Sequence, residues 1–187
     1  MYKTCIMEDS AKRQRELEQG FLAILRTQAY EDLSISDLCR QLSISRKSFY
    51  RYFSGKEGAL AALLDHTLMD FEACSLTESV QEDAATKILE LFFDFWEKQK
   101  PLLDVLKRDG LSMVLYQRAL ELSMRESSIF SQFTSDRHTH LHRQRNQFIV
   151  CGMMTMMISW HHNGYHPPLQ KMAESANQLL TQPLFQK

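Results

Sequence analysis

The sequence predicts an all-α protein, and three observations carry that reading. Only six Gly and four Pro interrupt 187 residues, too few for the turns of a turn-dense β chain. Ten Met and several long stretches free of Gly and Pro favour helix. Apolar residues also recur at helical spacing through most of the chain. With 44% apolar, 24% charged and 10% aromatic residues, the composition excludes disorder and suits one or two small domains with a sizeable core.

In the first third, Leu17, Phe21, Ile24 and Leu25 recur at i, i+4, i+7 and i+8, the stripe of an amphipathic helix that fades over Thr27 to Asp32. Ser34-Ile35-Ser36-Asp37 then places a hydroxyl at an N-cap and a carboxylate three residues on. Leu33 and Leu38 flank them as a hydrophobic staple, so a second helix starts at Ile35. Its inward stripe of Ile35, Leu38, Cys39 and Leu42 ends at Ser43-Ile44-Ser45, where the device repeats: Ser45 is an N-cap and Ile44 and Phe49 a staple. The third helix runs from about Arg46 to Phe53. Ser54-Gly55-Lys56-Glu57 opens a fourth, through Ala59, Leu60, Leu63, Leu64, Leu68 and Phe71.

Beyond a polar connection over 75–83, Ile88, Leu89, Leu91, Phe92, Phe95 and Trp96 predict a strongly apolar helix ending near Lys100. Pro101 restarts the chain as the first residue of a short helix to Arg108, with Gly110 beyond its end. Leu111 to about Glu126 reads as another helix, and Ser127 to Asp136 is less periodic. The run from His140 to His162 is apolar nearly all round in its second half, which marks a helix covered on several sides. Pro167-Pro168 opens a last amphipathic helix through Leu169, Met172, Ala173, Ala176 and Leu180.

The net charge of −1 hides an asymmetry. Residues 1–56 hold ten Lys or Arg against seven Asp or Glu, a balance of +3, and the remainder carries −4. The basic end is therefore N-terminal, a modest excess that fits an anionic partner such as nucleic acid, the other reading being ordinary solvated charge. The longest apolar run, Phe148 to Trp160, is thirteen residues broken by Gly152, Thr155 and Ser159, short of the roughly twenty that span a bilayer. Residues 1–15 lack the apolar stretch of a secretory signal, so a cytoplasmic protein without a membrane partner is expected. Cys5, Cys39, Cys74 and Cys151 are far apart, as suits reduced and mostly buried thiols. Five of the seven histidines, His138, His140, His142, His161 and His162, fall within one stretch. Their spacing does not align them on one helix face, so surface histidines are expected and no metal or other cofactor. There is no glycine-rich phosphate loop, nucleophile elbow or paired His-Glu zinc motif, which argues against an enzyme.

Two short helices joined by a tight turn, with a third to pack against, form a helix-turn-helix whose second helix enters the DNA major groove. With Phe49 and Phe53 turned inward at i and i+4, the outward set of the third helix is Arg46, Lys47, Ser48, Tyr50 and Arg51. It combines cations, hydroxyls and an aromatic, and no carboxylate interrupts it.

The stretch Phe21 to Leu60 resembles the DNA-binding domain of TetR-family transcriptional regulators. The resemblance rests on the two caps and on Phe49-Tyr50, Phe53 and Lys56-Glu57 at the family's spacing. The chain departs from the family pattern at Ser43, where a turn glycine is usual, at Cys39, where a small residue is usual, and at Lys47, where glycine is common. The resemblance implies that Ser34, Ser45, Tyr50 and Lys56 meet phosphates, while Arg46, Lys47 and Ser48 face bases. Tyr52 is open between a base contact and a half-buried ring beside Phe49 and Phe53. Hydroxyls and a Lys at helix N-termini suit backbone contacts, and Arg or Lys in the groove suits guanine O6 and N7.

The resemblance further implies a helix-turn-helix domain over residues 1–56 and a helical effector-binding and dimerisation domain over 57–187. The expected function is a repressor, released from a palindromic double-stranded operator by a small molecule. The last two helices pair subunits in the family, so Phe148, Met153, Met156, Met157, Trp160, Met172, Ala176 and Leu180 are expected at a homodimer interface. Phe92, Trp96, Met113 and Tyr116 are expected to line the effector site, the other reading of these apolar residues being plain core. A helical adaptor that binds protein without reading DNA is the alternative, and it leaves the cationic third helix unexplained.

Overall fold

The computed structural model describes Tyr2 and residues 8–78, 84–124 and 140–182. The expectation for 127–136, and those for Cys5 and His138, lie outside the described residues. Within them the chain forms α1 (Glu8–Leu25), α2 (Ile35–Gln41), α3 (Arg46–Tyr52), α4 (Lys56–Glu78), α5 (Ala84–Lys98), α6 (Lys100–Arg108), α7 (Ser112–Ser123), α8 (His140–His162) and α9 (Leu169–Thr181). None is long and apolar enough to cross a membrane.

Several boundaries move from their expected places for local reasons. α1 begins at Glu8, well before its apolar stripe, because Glu8 and Asp9 suit the positive end of the helix dipole and good helix formers follow. α4 continues past Phe71 to Glu78. Ser75, expected to open a connection, is absorbed by donating its hydroxyl to the Glu72 carbonyl at 2.8 Å. α5 starts at Ala84 instead of Ile88. Pro101 is the second residue of α6, with Gln99 as N-cap, a position whose N–H has no helical partner to lose. α7 ends at Ser123, ahead of the expected Glu126.

α1 packs against α2 and α4, α4 runs on to meet α5 and α7, and α8 and α9 close over α7 and α5. The interior is dense with aromatic edges: Phe93 meets Trp160 with ring centroids 5.4 Å apart, and Phe71 meets Phe92 at 5.3 Å, both edge to face. Gly20 on α1 lets α2 approach closely, since a Cβ there would stand 2.6 Å from Leu42 Cδ2.

Polar ties join the N-terminal helices to the rest. Glu18, fully buried on α1, holds the Nδ1 edge of His66 on α4 with both oxygens at 2.9 Å. Asp65, buried on α4, receives the Arg118 fork from α7, Nε to Oδ1 at 2.6 Å, and the Tyr2 hydroxyl at 2.9 Å. At the end of α6, Arg108 donates to the Leu25 and Gln28 carbonyls at 2.7 and 3.1 Å. Beside it Asp109 accepts the Tyr30 backbone N–H at 3.0 Å.

His161 corrects the expectation of surface histidines. It is buried, with Nε2 2.9 Å from Asp104 Oδ1, joining α8 to α6, whereas His162 is exposed. Burial raises the Asp104 carboxyl, but hydrogen bonds from Lys100 and His161 outweigh that and hold it below its ordinary range. The cysteines divide as well: Cys39 is buried, Cys151 half-buried and Cys74 exposed, the last against expectation.

Candidate nucleic-acid interface

The geometry of the helix-turn-helix follows from its caps. Ser34 accepts the Asp37 N–H at 3.1 Å and Ser45 accepts the Ser48 N–H at 3.0 Å, and each helix starts one residue later. The Ser34 hydroxyl also donates to the Asp37 carboxylate, which holds that half-buried group below the usual range. Both staples form, with Leu33, Leu38 and Phe49 buried and Ile44 packed on the core. Between the helices, Ser43 takes a left-handed φ of 54°. Its N–H bonds to Arg40 O at 3.1 Å and that of Ile44 to Cys39 O at 3.0 Å, closing α2 in a Schellman turn.

Phe49 and Phe53 lie inside, 5.2 Å apart. α3 therefore presents Arg46, Lys47, Tyr50 and Arg51 to solvent, with Ser48 half-buried and Ser34 and Ser45 exposed at the two helix starts. Arg46 donates to Ser36 Oγ, which fixes its guanidinium across α2 and α3. Tyr50 stands edge-on to Phe49 at 5.7 Å. Tyr52 settles the open alternative: its ring is 7% exposed and packs against Phe53, so it is a core residue of α3 and not part of the outward face.

Lys56 differs from expectation in its neighbours. Its ammonium donates to the Tyr30 carbonyl at 2.6 Å and sits 4.3 Å from the centre of the Tyr30 ring, tying the start of α4 to the α1–α2 connection. Burial and the nearby Glu57 and Glu31 push the Tyr30 phenol up to about 12. Tyr30, Arg108 and Asp109 escape sequence reasoning, because no local pattern marks a contact made 79 residues away.

In the C-terminal helices the structure separates residues that the sequence grouped. Phe92 and Trp96 border a cavity of about 40 Å³ with Phe71, Leu122, Val150 and Met154. Met113 and Tyr116 do not line it. Met113 is 67% exposed, on the face of α7 opposite Leu115, Ala119 and Leu122. Tyr116 meets the Cys151 thiol, which raises its phenol pKa.

Of the residues expected at a subunit interface, Met157, Trp160, Met172 and Ala176 are buried within the protomer, and the Trp160 indole donates to Pro167 O at 2.6 Å. An all-round apolar helix contributes to its own core first. The outward remainder is a groove of about 400 Å³ between α8 and α9, bordered by Phe148, Met156 and Leu180 among others, with Phe148 66% exposed. Met153 is buried between the two compartments and lines both the interior cavity and this groove.

Residues 22–63 match the family described as Bacterial regulatory proteins, tetR family. The chain is 33% identical over 76 residues to the HTH-type transcriptional regulator EthR of Mycolicibacterium smegmatis. That alignment covers 38% of this chain and 35% of the relative's length. Among solved structures, a TetR-family regulator from Syntrophomonas wolfei superposes with a TM-score of 0.69 at 15% identity, covering 94% of this chain and 98% of that one. The repressor AlkX from a Dietzia strain superposes at 0.59 and 17% identity, covering 89% and 92% of the two chains. These superpositions show the all-α fold along nearly the whole chain, and the match over α2, α3 and the start of α4 falls on the helix-turn-helix. Residues 22–63 thus carry the DNA-binding domain described for the tetR family of bacterial regulatory proteins.

Proposed function

We propose that this protein is a transcriptional regulator that binds a palindromic duplex as a homodimer and represses until a small molecule releases it. Residues 1–56 are the reading unit, and 57–187 carry the pairing surface and the effector cavity. The carrying observation is the outward face of α3: four exposed side chains, Arg46, Lys47, Tyr50 and Arg51, on a helix without a carboxylate. Arg46 and Lys47 lie in the first turn, where cations oppose the helix dipole, an arrangement that an arriving phosphate or guanine edge relieves.

The pairing surface in this reading is the α8–α9 groove, where Phe148, Met156 and Leu180 offer contiguous apolar area that a second copy would cover. Ser34, Ser45 and Tyr50 set register on the backbone, and Arg46, Lys47 and Ser48 face base edges. Release follows if effector binding favours a different tilt of α4, since half-sites repeat at about 34 Å and both must be engaged together. A hundredfold loss of operator affinity needs a preference of only about 2.7 kcal/mol for the misfit state.

A mobility-shift titration on the intergenic duplex beside the gene, repeated from low to high salt, tests this reading. Binding with a steep negative salt slope supports it. A protein that leaves every duplex unshifted at low salt is an adaptor and not a regulator.

A further inference from the structure

Trp96 is fully buried on α5, and its indole N–H has no hydrogen-bond partner among the described residues. The other tryptophan, Trp160, is buried as deeply, yet its N–H is met by the Pro167 carbonyl. An indole nitrogen only donates, so nothing but an acceptor can satisfy it. A buried donor left unpaired forfeits its hydration without return, which makes such groups rare unless something else arrives to meet them.

Trp96 borders the interior cavity of about 40 Å³, whose walls are mostly aliphatic and aromatic. Two lining residues are polar, Glu72 and Ser123, and the Ser123 hydroxyl is already donated to the Leu120 carbonyl at 2.7 Å. No Lys, Arg or His stands among the described lining residues. An anionic ligand would find a carboxylate residue at the wall and no cation to offset its desolvation. The cavity is also smaller than the roughly 150 Å³ that admits benzene. A guest must displace the flexible thioethers of Met153 and Met154, side chains suited to repacking.

We propose that the effector is a neutral, mainly apolar molecule carrying one acceptor oxygen, a ketone or ester carbonyl, which accepts the Trp96 Nε1–H. The inference rests on the reading of this domain as effector-binding and names the chemistry of its ligand. Apolar bulk supplies the burial, and the single carbonyl fixes orientation through the Trp96 indole N–H.

Two isosteric probes test it on the full chain, cyclohexanone and methylenecyclohexane, which differ in an oxygen against a CH2 at the same position. With indole-15N-labelled protein, saturating cyclohexanone is expected to move the Trp96 Hε1 resonance downfield while methylenecyclohexane does not. The Trp160 resonance, already hydrogen-bonded, is the internal reference and is assigned from Trp160→Phe. In parallel, the preference for cyclohexanone over methylenecyclohexane is expected to fall about tenfold in Trp96→Phe, because both probes feel the altered volume but only the ketone loses a donor. Cyclohexanecarboxylate is expected not to compete. An unmoved Trp96 resonance at saturation, failure of cyclohexanone to bind, a preference that survives Trp96→Phe, or tighter binding of the carboxylate overturns the proposal. All arms are read without DNA, so they stand apart from the duplex titration that tests the regulator itself.

Discussion

Asp109, at the end of α6, accepts the backbone N–H of Tyr30 in the α1–α2 connection, across 79 residues of sequence. The Tyr30 carbonyl is held from the other side by Lys56. The segment leading into the helix-turn-helix is thus gripped between the first residue of α4 and the last turn of α6. Tyr30 ties the α1–α2 connection to both α4 and α6.

Asp109→Ala is expected to lower stability at pH 7 by about 1 to 2 kcal/mol and to speed amide exchange at Tyr30. The Arg108 guanidinium, and then the Tyr30 N–H, hold the Asp109 carboxyl below its ordinary value. Its contribution is therefore complete above the ordinary carboxylate pKa of about 3.9 and is lost as pH falls through the lower folded-state value. Denaturation curves of wild type and variant should converge in strong acid; a gap that persists there refutes the assignment.

Ser43→Gly should stabilise the protein. An L residue in the left-handed region costs roughly 1 to 2 kcal/mol, and glycine returns about 0.5 to 1 kcal/mol of that as unfolded-state entropy. A net gain of about 0.5 kcal/mol or more is expected, read as a rise of a few degrees in Tm.

Glutamate substitutions on α8 should separate two roles that the sequence merged. Phe148→Glu adds a charge at an exposed groove position and is expected to yield a folded monomer by sedimentation. Met157 is 0% exposed, so Met157→Glu buries an unpaired charge and is expected to abolish the helical circular dichroism signal. Identical behaviour of the two variants would refute the division.

Lys47→Ala is expected to leave Tm unchanged and to erode sequence preference, each good base contact being worth about 1 to 3 kcal/mol of discrimination. Lys56→Ala should lower Tm, because the Tyr30 carbonyl loses its donor, and weaken all duplexes alike. Thermal melts combined with specific and random duplex titrations distinguish the two.

The helix-turn-helix was legible because its signals are local. Ser34, Ser45 and the staples act within five residues, and helical period alone turned Phe49 inward. Tyr52 remained open because it sits beside that stripe, and only the packed bundle decides which side of it is covered. The C-terminal helices were legible as helices but not in their facing. α8 is apolar nearly all round, so its sequence gives no direction, and Met157 and Trp160 went to the protomer's own core. The chemistry of Met113 suggests a pocket wall, whereas the stripe of Leu115, Ala119 and Leu122 turns it outward. Glu18 with His66 and Asp65 with Arg118 join residues 48 and 53 positions apart, and such pairs carry no signature at short range.

Met153 is the wall shared by the interior cavity and the outer groove. A thioether that swings aside to admit a guest changes the relief of the surface against which a second copy would rest. Under the proposed function, occupancy and self-association then draw on one side chain and are thermodynamically linked: the apparent affinity for the small molecule varies with protein concentration, and the cell's copy number of the protein becomes an input to its own response.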